Sequence, residues 1–310
     1  MLTDTKPSVR ETFSQLLGAI TALPAQLVRA CLLVMVVLLS LLLVAVFEDF
    51  SAATEERLGA LGWTLLPEQA AEERITLVAI DEKSLAAVGP WPWPRDTLAD
   101  LSERLAEADA AMQLFDVVLP EAREGDERLA QVLLSAEGVL AQVPVLEANH
   151  YIETGLMSGA LGAVDCQTPM PHAQGFMANA AGFKTVAKGH ITPIVDPDGM
   201  IRKQPPLICV DGKVYPSLSM QALLQGFLFA EPGGDRKLQV LEGDGLFAPH
   251  WSISSASYLG FSVPLDSQGN VRISYHQHPD TFRVVSAVDV LRGETPKHLL
   301  NGAWVLVGAT

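Results

Sequence analysis

One uninterrupted apolar segment stands out near the start of the chain. Residues 30–47 read ACLLVMVVLLSLLLVAVF and contain no charge. At about 1.5 Å per residue, a helix of this length crosses roughly 27 Å, close to the thickness of a bilayer's hydrocarbon core. The pattern predicts a transmembrane helix. A cleaved signal peptide is the alternative, because Ser51-Ala52-Ala53 is similar to a cleavage site.

Charged residues on either side of this segment predict its orientation. The basic residues before it are Lys6, Arg10 and Arg29, and the acidic residues after it are Glu48, Asp49, Glu55 and Glu56. Because basic flanks stay on the cytoplasmic side, residues 1–29 are expected in the cytoplasm and the chain after residue 47 outside it. Residues 48–73 then form a Glu-rich juxtamembrane spacer, and residues 74–310 form the exported domain at the inner membrane.

The exported part begins with a strand pattern and then a helix pattern. Residues 75–80 (ITLVAI) are continuously apolar, which is typical of a strand buried on both faces. After a loop rich in Pro and Trp, Asp96 is the predicted N-cap of a helix. The apolar face of that helix comprises Leu98, Leu101, Leu105 and Ala108.

The same alternation repeats further along the chain. Residues 112–115 predict a second strand that leads into Asp116, residues 126–136 a second helix, and residues 139–145 a third strand. Strands that alternate with helices of this length favour right-handed crossovers. The predicted fold class is therefore α/β, with a mainly parallel sheet, flanking helices and added β-hairpins.

Turn signals dominate the second half. Asp196-Pro197-Asp198-Gly199 and Asp211-Gly212 predict two linked hairpins. The elements predicted around them are a strand near 182–186, strands at 191–195 and 201–210, a helix over 217–229, a turn at 266–270, a strand over 271–275 and a last buried strand over 303–307. The chain stops just after that strand, where a loop should follow, so a C-terminally truncated product is expected.

Composition excludes some classes of function. The formal net charge is −15, so the chain lacks the excess of Lys and Arg with which a general nucleic-acid binder neutralises phosphates. The sequence has no G-x-S-x-G elbow, no H-E-x-x-H, no Walker loop and no correctly placed G-x-G-x-x-G. We therefore predict no catalytic residue and no cofactor.

Cys166 and Cys209 either pair in an oxidising compartment or remain ordinary core thiols.

Two aspartates are predicted at the carboxyl ends of strands. Asp81 ends the first strand and Asp116 the second, and open parallel sheets bind ligands in the crevice at these ends. The two carboxylates are expected to lie close together and to bind a cation or a basic ligand. Alternatively, each caps the following turn or pairs with Arg95.

The loop Pro90-Trp91-Pro92-Trp93-Pro94-Arg95 is the most unusual local feature. Its three prolines restrict the backbone, and Trp91 and Trp93 offer flat apolar faces that suit contact with a ligand or partner. The alternative is that both indoles are core residues. Arg95 is expected to bridge to a carboxylate at the strand ends or to hold an anionic ligand.

Arg202 and a pair of histidines complete the candidates. Arg202 follows the first hairpin turn and is either an inward-facing charge or a surface residue. His276 and His278 lie on one side of a predicted strand, as a metal pair would, but no further ligand is near them in sequence. We therefore predict no metal site. The candidate ligand-binding residues are Asp81, Trp91, Trp93, Arg95, Asp116 and Arg202.

Four sequence blocks carry a family resemblance. They are ITLVAIDEKSLAAVGPWPWPRDTLADLSERL, MQLFDVVLPE, GHITPIVDPDGMIRKQPPLICVDGKVYPSLSMQAL, and FRVVSAVDVLRG followed by GAWVLVGAT. In this order, over roughly residues 50–310, the chain resembles the type 2 CHASE domain, CHASE2. That domain is an extracytoplasmic sensory module of bacterial transmembrane receptors.

The resemblance implies a membrane-anchored sensory domain that responds to an unknown extracytoplasmic ligand. In that family, further membrane helices and a cytoplasmic nucleotide cyclase, GGDEF diguanylate cyclase or protein kinase follow the sensor. A homodimeric receptor is implied as well. Two alternatives remain: a membrane-anchored exported hydrolase that uses Asp81 and Asp116, and a scaffold that docks a partner through the Trp/Pro loop.

Overall fold

The computed structural model describes the chain in ten segments. They cover residues 25–46, 72–147, 151–162, 164–167, 169–196, 198–230, 238–244, 249–255, 262–275 and 279–309. The chain divides into two compact units, Met1–Pro67 and Glu68–Thr310, and each is described by itself.

In the first unit the described residues form one helix, α1 (Ala25–Val46). Its apolar side chains are exposed along the helix; Leu33, for example, is 68% exposed. Among the described helices it alone is long and apolar enough to cross a membrane. An apolar helix with no protein core around it is suited to lipid.

The described part of the second unit contains 17 strands and five further α-helices. The strands are β1 (Glu72–Ile80), β2 (Met112–Phe115), β3 (Gly138–Val145), β4 (Glu153–Thr154), β5 (His172–Ala173), β6 (Gly175–Met177), β7 (Ala187–His190), β8 (Ile194–Val195), β9 (Ile201–Gln204), β10 (Leu207–Val210), β11 (Lys213–Pro216), β12 (Leu238–Glu242), β13 (Trp251–Ser255), β14 (Ser262–Leu265), β15 (Val271–Arg272), β16 (Phe282–Ser286) and β17 (Trp304–Ala309). The helices are α2 (Glu82–Val88), α3 (Arg95–Glu107), α4 (Asp126–Ser135), α5 (Leu218–Ala230) and α6 (Ala287–Leu291).

A mainly parallel sheet lies at the centre of this unit, which confirms the predicted α/β fold class. Strands β16, β1, β17, β2 and β3 follow one another in space, and each neighbouring pair is parallel. The far edge of β3 pairs first with β7, in parallel, and then with β6, antiparallel. Strand β4 extends the sheet beyond β6.

The last strand of the described chain lies in the middle of this sheet. Val307 of β17 pairs with Val78 of β1 on one side and with Phe115 of β2 on the other. Val305 and Val307 are completely buried. The first two strands in sequence are therefore separated by the last one.

Helices cover both faces of the sheet. On one face, α3, α4 and α6 share a single hydrophobic cluster with sheet residues such as Val78 and Leu140. On the other face, Gly226 of α5 lies so close to the Trp304 ring that an added Cβ would be 2.8 Å from it. Because strand side chains alternate between faces, Trp304 meets α5 while Val305 points into the cluster with α3.

The predicted apolar helix face is confirmed, but its predicted cap is wrong. Leu98, Leu101 and Leu105 of α3 are almost fully buried. The helix begins at Arg95 with Pro94 at the N-cap, where no side chain caps it. Asp96 lies instead in the first turn, where a negative charge is favourable beside the helix dipole.

The second half confirms both hairpins and corrects several boundaries. Strands β8 and β9 pair antiparallel, as do β10 and β11 across the Asp211-Gly212 turn. The strand predicted over 201–210 is interrupted at Pro205-Pro206, since proline cannot donate to a strand ladder. The strand predicted near 182–186 is wrong: Ala181–Phe183 is a 3-10 turn and the strand is β7. The predicted helix over 217–229 is α5, and β15 covers only the start of the strand predicted over 271–275.

A disulfide joins Cys166 and Cys209, so the paired alternative is the one observed. It ties the loop before β5 to the buried strand β10 within a second hydrophobic cluster. Disulfides form and persist mainly outside the cytoplasm. This bond is therefore consistent with an exported domain.

Replacing Cys166 with Ala is expected to lower the free energy of unfolding of the domain by about 3–4 kcal/mol, because the bond closes a loop with a sequence separation of 43. Urea unfolding under non-reducing conditions, followed by tryptophan fluorescence, measures this loss. The control is Cys31→Ser, which removes the free cysteine of α1 and should leave the midpoint unchanged. A wild-type midpoint that dithiothreitol does not move would show that the bond does not form.

Candidate functional site

The carboxyl edge of the parallel sheet carries the two predicted aspartates. Asp81 follows the last residue of β1, and Asp116 follows the last residue of β2. Because β17 lies between these strands, the two positions are roughly 10 Å apart across the sheet, at about 4.8 Å per strand spacing. The expectation that the carboxylates lie close together is therefore wrong.

Asp81 is a structural cap. Its Oδ1 accepts hydrogen bonds from Ser84 N at 2.9 Å and from Ser286 Oγ at 2.8 Å, so it begins α2 and ties the end of β1 to the end of β16. Burial opposes its ionisation, but the hydrogen bonds from Ser84 and Ser286 outweigh that effect and lower its pKa. Of the alternatives considered for Asp81, the structure therefore shows the one in which it caps the following turn.

Asp116 has a different environment. Its backbone N–H donates to Val307 O at 2.8 Å, while its carboxylate has no hydrogen-bond or ion-pair partner among the described residues. An added Cβ on Gly308 would be 3.8 Å from Asp116 Oδ2, so this carboxylate lies over the end of β17. Desolvation raises its pKa. An unpartnered carboxylate beside the central strand is available to a ligand.

The two aspartates should respond differently to substitution. Asp81→Ala is expected to lower the free energy of unfolding by about 1–2 kcal/mol, because it removes an N-cap. Asp116→Asn should leave it unchanged, because Asp116 is exposed and its carboxylate bonds to no described residue. Urea denaturation of both variants beside the wild type measures the difference. An equal loss in both would contradict the structural role of Asp81 and the free state of Asp116.

The Trp/Pro loop contributes one buried and one half-buried indole. Trp93 is 1% exposed and donates from Nε1 to Gly89 O at 2.9 Å, so it is a core residue that closes its own loop. The two rings are 6.0 Å apart between centroids and inclined at 60°. Trp91 packs against the edge of the core and keeps part of its surface open. Only Trp91 can contact a ligand without rearrangement of the core.

Arg95 is buried and forms an ion pair with a different carboxylate from those predicted. Its Nε donates to Asp126 Oδ1 at 2.7 Å, and its Nη2 donates to the Glu121 carbonyl at 3.0 Å. Gly125 makes the contact possible, because an added Cβ there would be 2.8 Å from the Arg95 Cβ. The expected bridge to Asp81 or Asp116 is wrong. Arg95 instead fastens the start of α3 to the start of α4.

Breaking this buried pair should be costly. Asp126→Ala leaves the Arg95 guanidinium buried and uncompensated, and it is expected to destabilise the domain by about 3–5 kcal/mol. The matched control is Glu107→Ala, which breaks the exposed pair with Arg104 and should cause no resolvable loss. Chemical denaturation measures the loss of stability in both variants, and equal stability of the two would refute the structural role of Asp126.

Arg202 is bound by its own turn, and only 16% of its side chain is exposed. Its guanidinium donates to Asp196 at 2.8 Å and to both carboxylate oxygens of Asp198 at 2.9 and 2.8 Å. These bonds lower the pKa of Asp198 to about 2. The histidine pair His276 and His278 lies outside the described residues. Among the described residues, no cluster of three or more His, Cys, Asp or Glu side chains could hold a metal.

Sequence reasoning missed a set of buried polar residues near the ends of β3 and β7. Lys188 is 1% exposed, and its Nζ donates to Phe183 O at 2.6 Å and to Val186 O at 2.7 Å. His190 is fully buried. Burial lowers the pKa of Lys188 to about 7 and that of His190 to about 3. The alternation Lys188, Gly189, His190 within a predicted connection was the only signal in the sequence that could have revealed them.

The described residues define an α/β domain with a mainly parallel central sheet, and a helix long and apolar enough to cross a membrane precedes it in sequence. The model of the CHASE2 domain family matches residues 30–310, and the chain belongs to that family. CHASE2 domains are extracytoplasmic sensory modules. No curated protein and no solved structure matches the chain.

Proposed function

We propose that this chain is the extracytoplasmic input domain of a bacterial transmembrane receptor. The observation that carries the proposal is the family match, which runs from the apolar helix α1 through the whole parallel sheet. In the proposed topology the N-terminus lies in the cytoplasm, α1 spans the inner membrane and the second unit lies in the periplasm. The disulfide between Cys166 and Cys209 supports an oxidising location.

The proposed ligand site is the carboxyl edge of the sheet around Asp116. This carboxylate has no partner among the described residues and lies over the end of β17, the last strand that the structure describes. A cation or basic ligand bound there would favour one position of β17 over another. A ligand transmits a signal only if it binds one arrangement more tightly than the other, and the proposal places that difference at this edge.

The other predicted ligand residues take supporting roles in the proposal. Trp91 offers its open face as an apolar contact, while Trp93, Arg95 and Arg202 stabilise the scaffold through the contacts described above. The output module, which we propose to be a cyclase, a GGDEF domain or a kinase, would act in the cytoplasm. Because such modules commonly signal as dimers, a homodimeric receptor is part of the proposal.

The topology is tested by protease treatment of spheroplasts. Proteinase K added from outside should remove the disulfide-bonded domain, while an epitope tag placed before Met1 remains intact until the membrane is lysed. Immunoblots for the tag and for the domain give the result. A tag that is digested in intact spheroplasts would reverse the proposed orientation.

The sensory role is tested with the protein encoded by the whole gene. Membranes that carry this protein are assayed for cyclic-nucleotide, cyclic di-GMP or phosphoryl output, with residues 72–309 present or deleted. The deletion is expected to change basal output severalfold, and Glu107→Ala serves as the surface control that should not. A stop codon directly after Thr310, or an output that the deletion does not change, would overturn the proposal.

A further inference from the structure

Four buried polar atoms near the ends of β3 and β7 lack a hydrogen-bond partner among the described residues. They are Gln142 Oε1, Ser158 Oγ, His190 Nδ1 and His190 Nε2. Gln142 and His190 are both completely buried. A buried polar atom without a partner costs its full desolvation penalty, and most native proteins avoid it. Four such atoms on three residues therefore require an explanation.

The three residues belong to one place in the fold. Gln142 and His190 are directly paired in the parallel ladder of β3 and β7, so their side chains leave the sheet on the same face. Gln142 Nε2 donates to the carbonyl of Ser158 at 3.2 Å, which brings Ser158 to the same position. His190 is the last residue of β7, at the edge where parallel sheets bind ligands.

A short irregular segment, residues 155–161, lies over this position. Its bonds to the rest of the domain include Leu156 N to Asn179 O and Leu161 N to Val214 O, both at 2.8 Å. Gly159 adopts a φ of 83°, and an added Cβ there would be 3.2 Å from the Lys188 Cβ. A ligand that reaches Gln142 and His190 from this side has to displace the segment.

We propose that Gln142, Ser158 and His190 form a buried binding site for a small neutral ligand that carries both a hydrogen-bond donor and an acceptor, such as a primary amide or a hydroxyl compound. A neutral imidazole has one donor and one acceptor nitrogen, the glutamine oxygen accepts, and the serine hydroxyl does both. A charged ligand is disfavoured, because none of the unpartnered atoms carries a charge and burial of an unpaired ion is costly. The nearby Lys188 Nζ already donates to two carbonyls.

The test uses acetamide as the neutral probe and acetate as its charged isostere. Full-length chain labelled with ¹⁵N-histidine is titrated in detergent micelles, and the His190 ring signals are assigned by their loss in a His190→Phe variant. Acetamide is expected to shift these signals saturably, and acetate is not. Gln142→Leu should weaken acetamide binding about tenfold, the equivalent of one hydrogen bond. Gln225→Leu, which removes an amide on α5 whose Oε1 is buried, is the control that should bind as the wild type does.

A second measurement, urea unfolding, tests the proposed site without acetamide. The single variant His190→Phe should unfold at a higher urea concentration than the wild type, because an apolar ring replaces an imidazole whose two nitrogens lack a partner among the described residues, while the Gln142 bond to Ser158 is kept. A lower midpoint, the absence of a saturable acetamide shift, or tighter binding of acetate than acetamide would each overturn the site. Because binding is read on His190 itself, these outcomes are distinguishable from a failure of the proposed sensory role, which is read on the output.

Discussion

The domain depends on the insertion of β17 between β1 and β2. Its residues 304–309 form parallel ladders on both sides, and without it the two strands that begin the domain would have no common neighbour. Val305 and Val307 also complete the cluster shared with α3 and α4. Contacts between residues so far apart in sequence are costly to form, because a long loop must close first. A strand far along the sequence, β17, therefore joins β1 and β2 into one sheet.

The position of β17 also determines the environment of Asp116 at the carboxyl edge of the sheet. Asp116 is held next to Gly308 by a backbone bond to Val307, and its carboxylate stays without a partner among the described residues. The carboxylate of Asp81, on the other side of β17, instead caps the start of α2. Two aspartates with the same position relative to their strands thus have different chemistry, because their neighbours across the sheet differ.

Buried polar groups divide into those that the fold satisfies and those that it does not. Arg95 and Asp126 neutralise each other and align two helices, and Lys188 is satisfied by two carbonyls. His190 and Gln142 retain unpartnered atoms although they are fully buried. Buried polar atoms without hydrogen-bond partners concentrate at functional sites, because selection for stability alone would remove them. The ends of β3 and β7 therefore differ from the starts of α3 and α4, where the buried charges are paired.

The sequence by itself determined the elements whose pattern is local. The apolar helix, the buried strand before Asp81, the Leu98–Leu105 face and the two hairpin turns follow from periodicity and turn chemistry, and each lies where it was predicted. Tertiary structure alone decided that β17 separates Asp81 from Asp116, that Arg95 pairs with Asp126, and that Trp93 is buried. The physical reason is that strand order and ion-pair partners depend on which distant segments meet, and no local pattern encodes that choice.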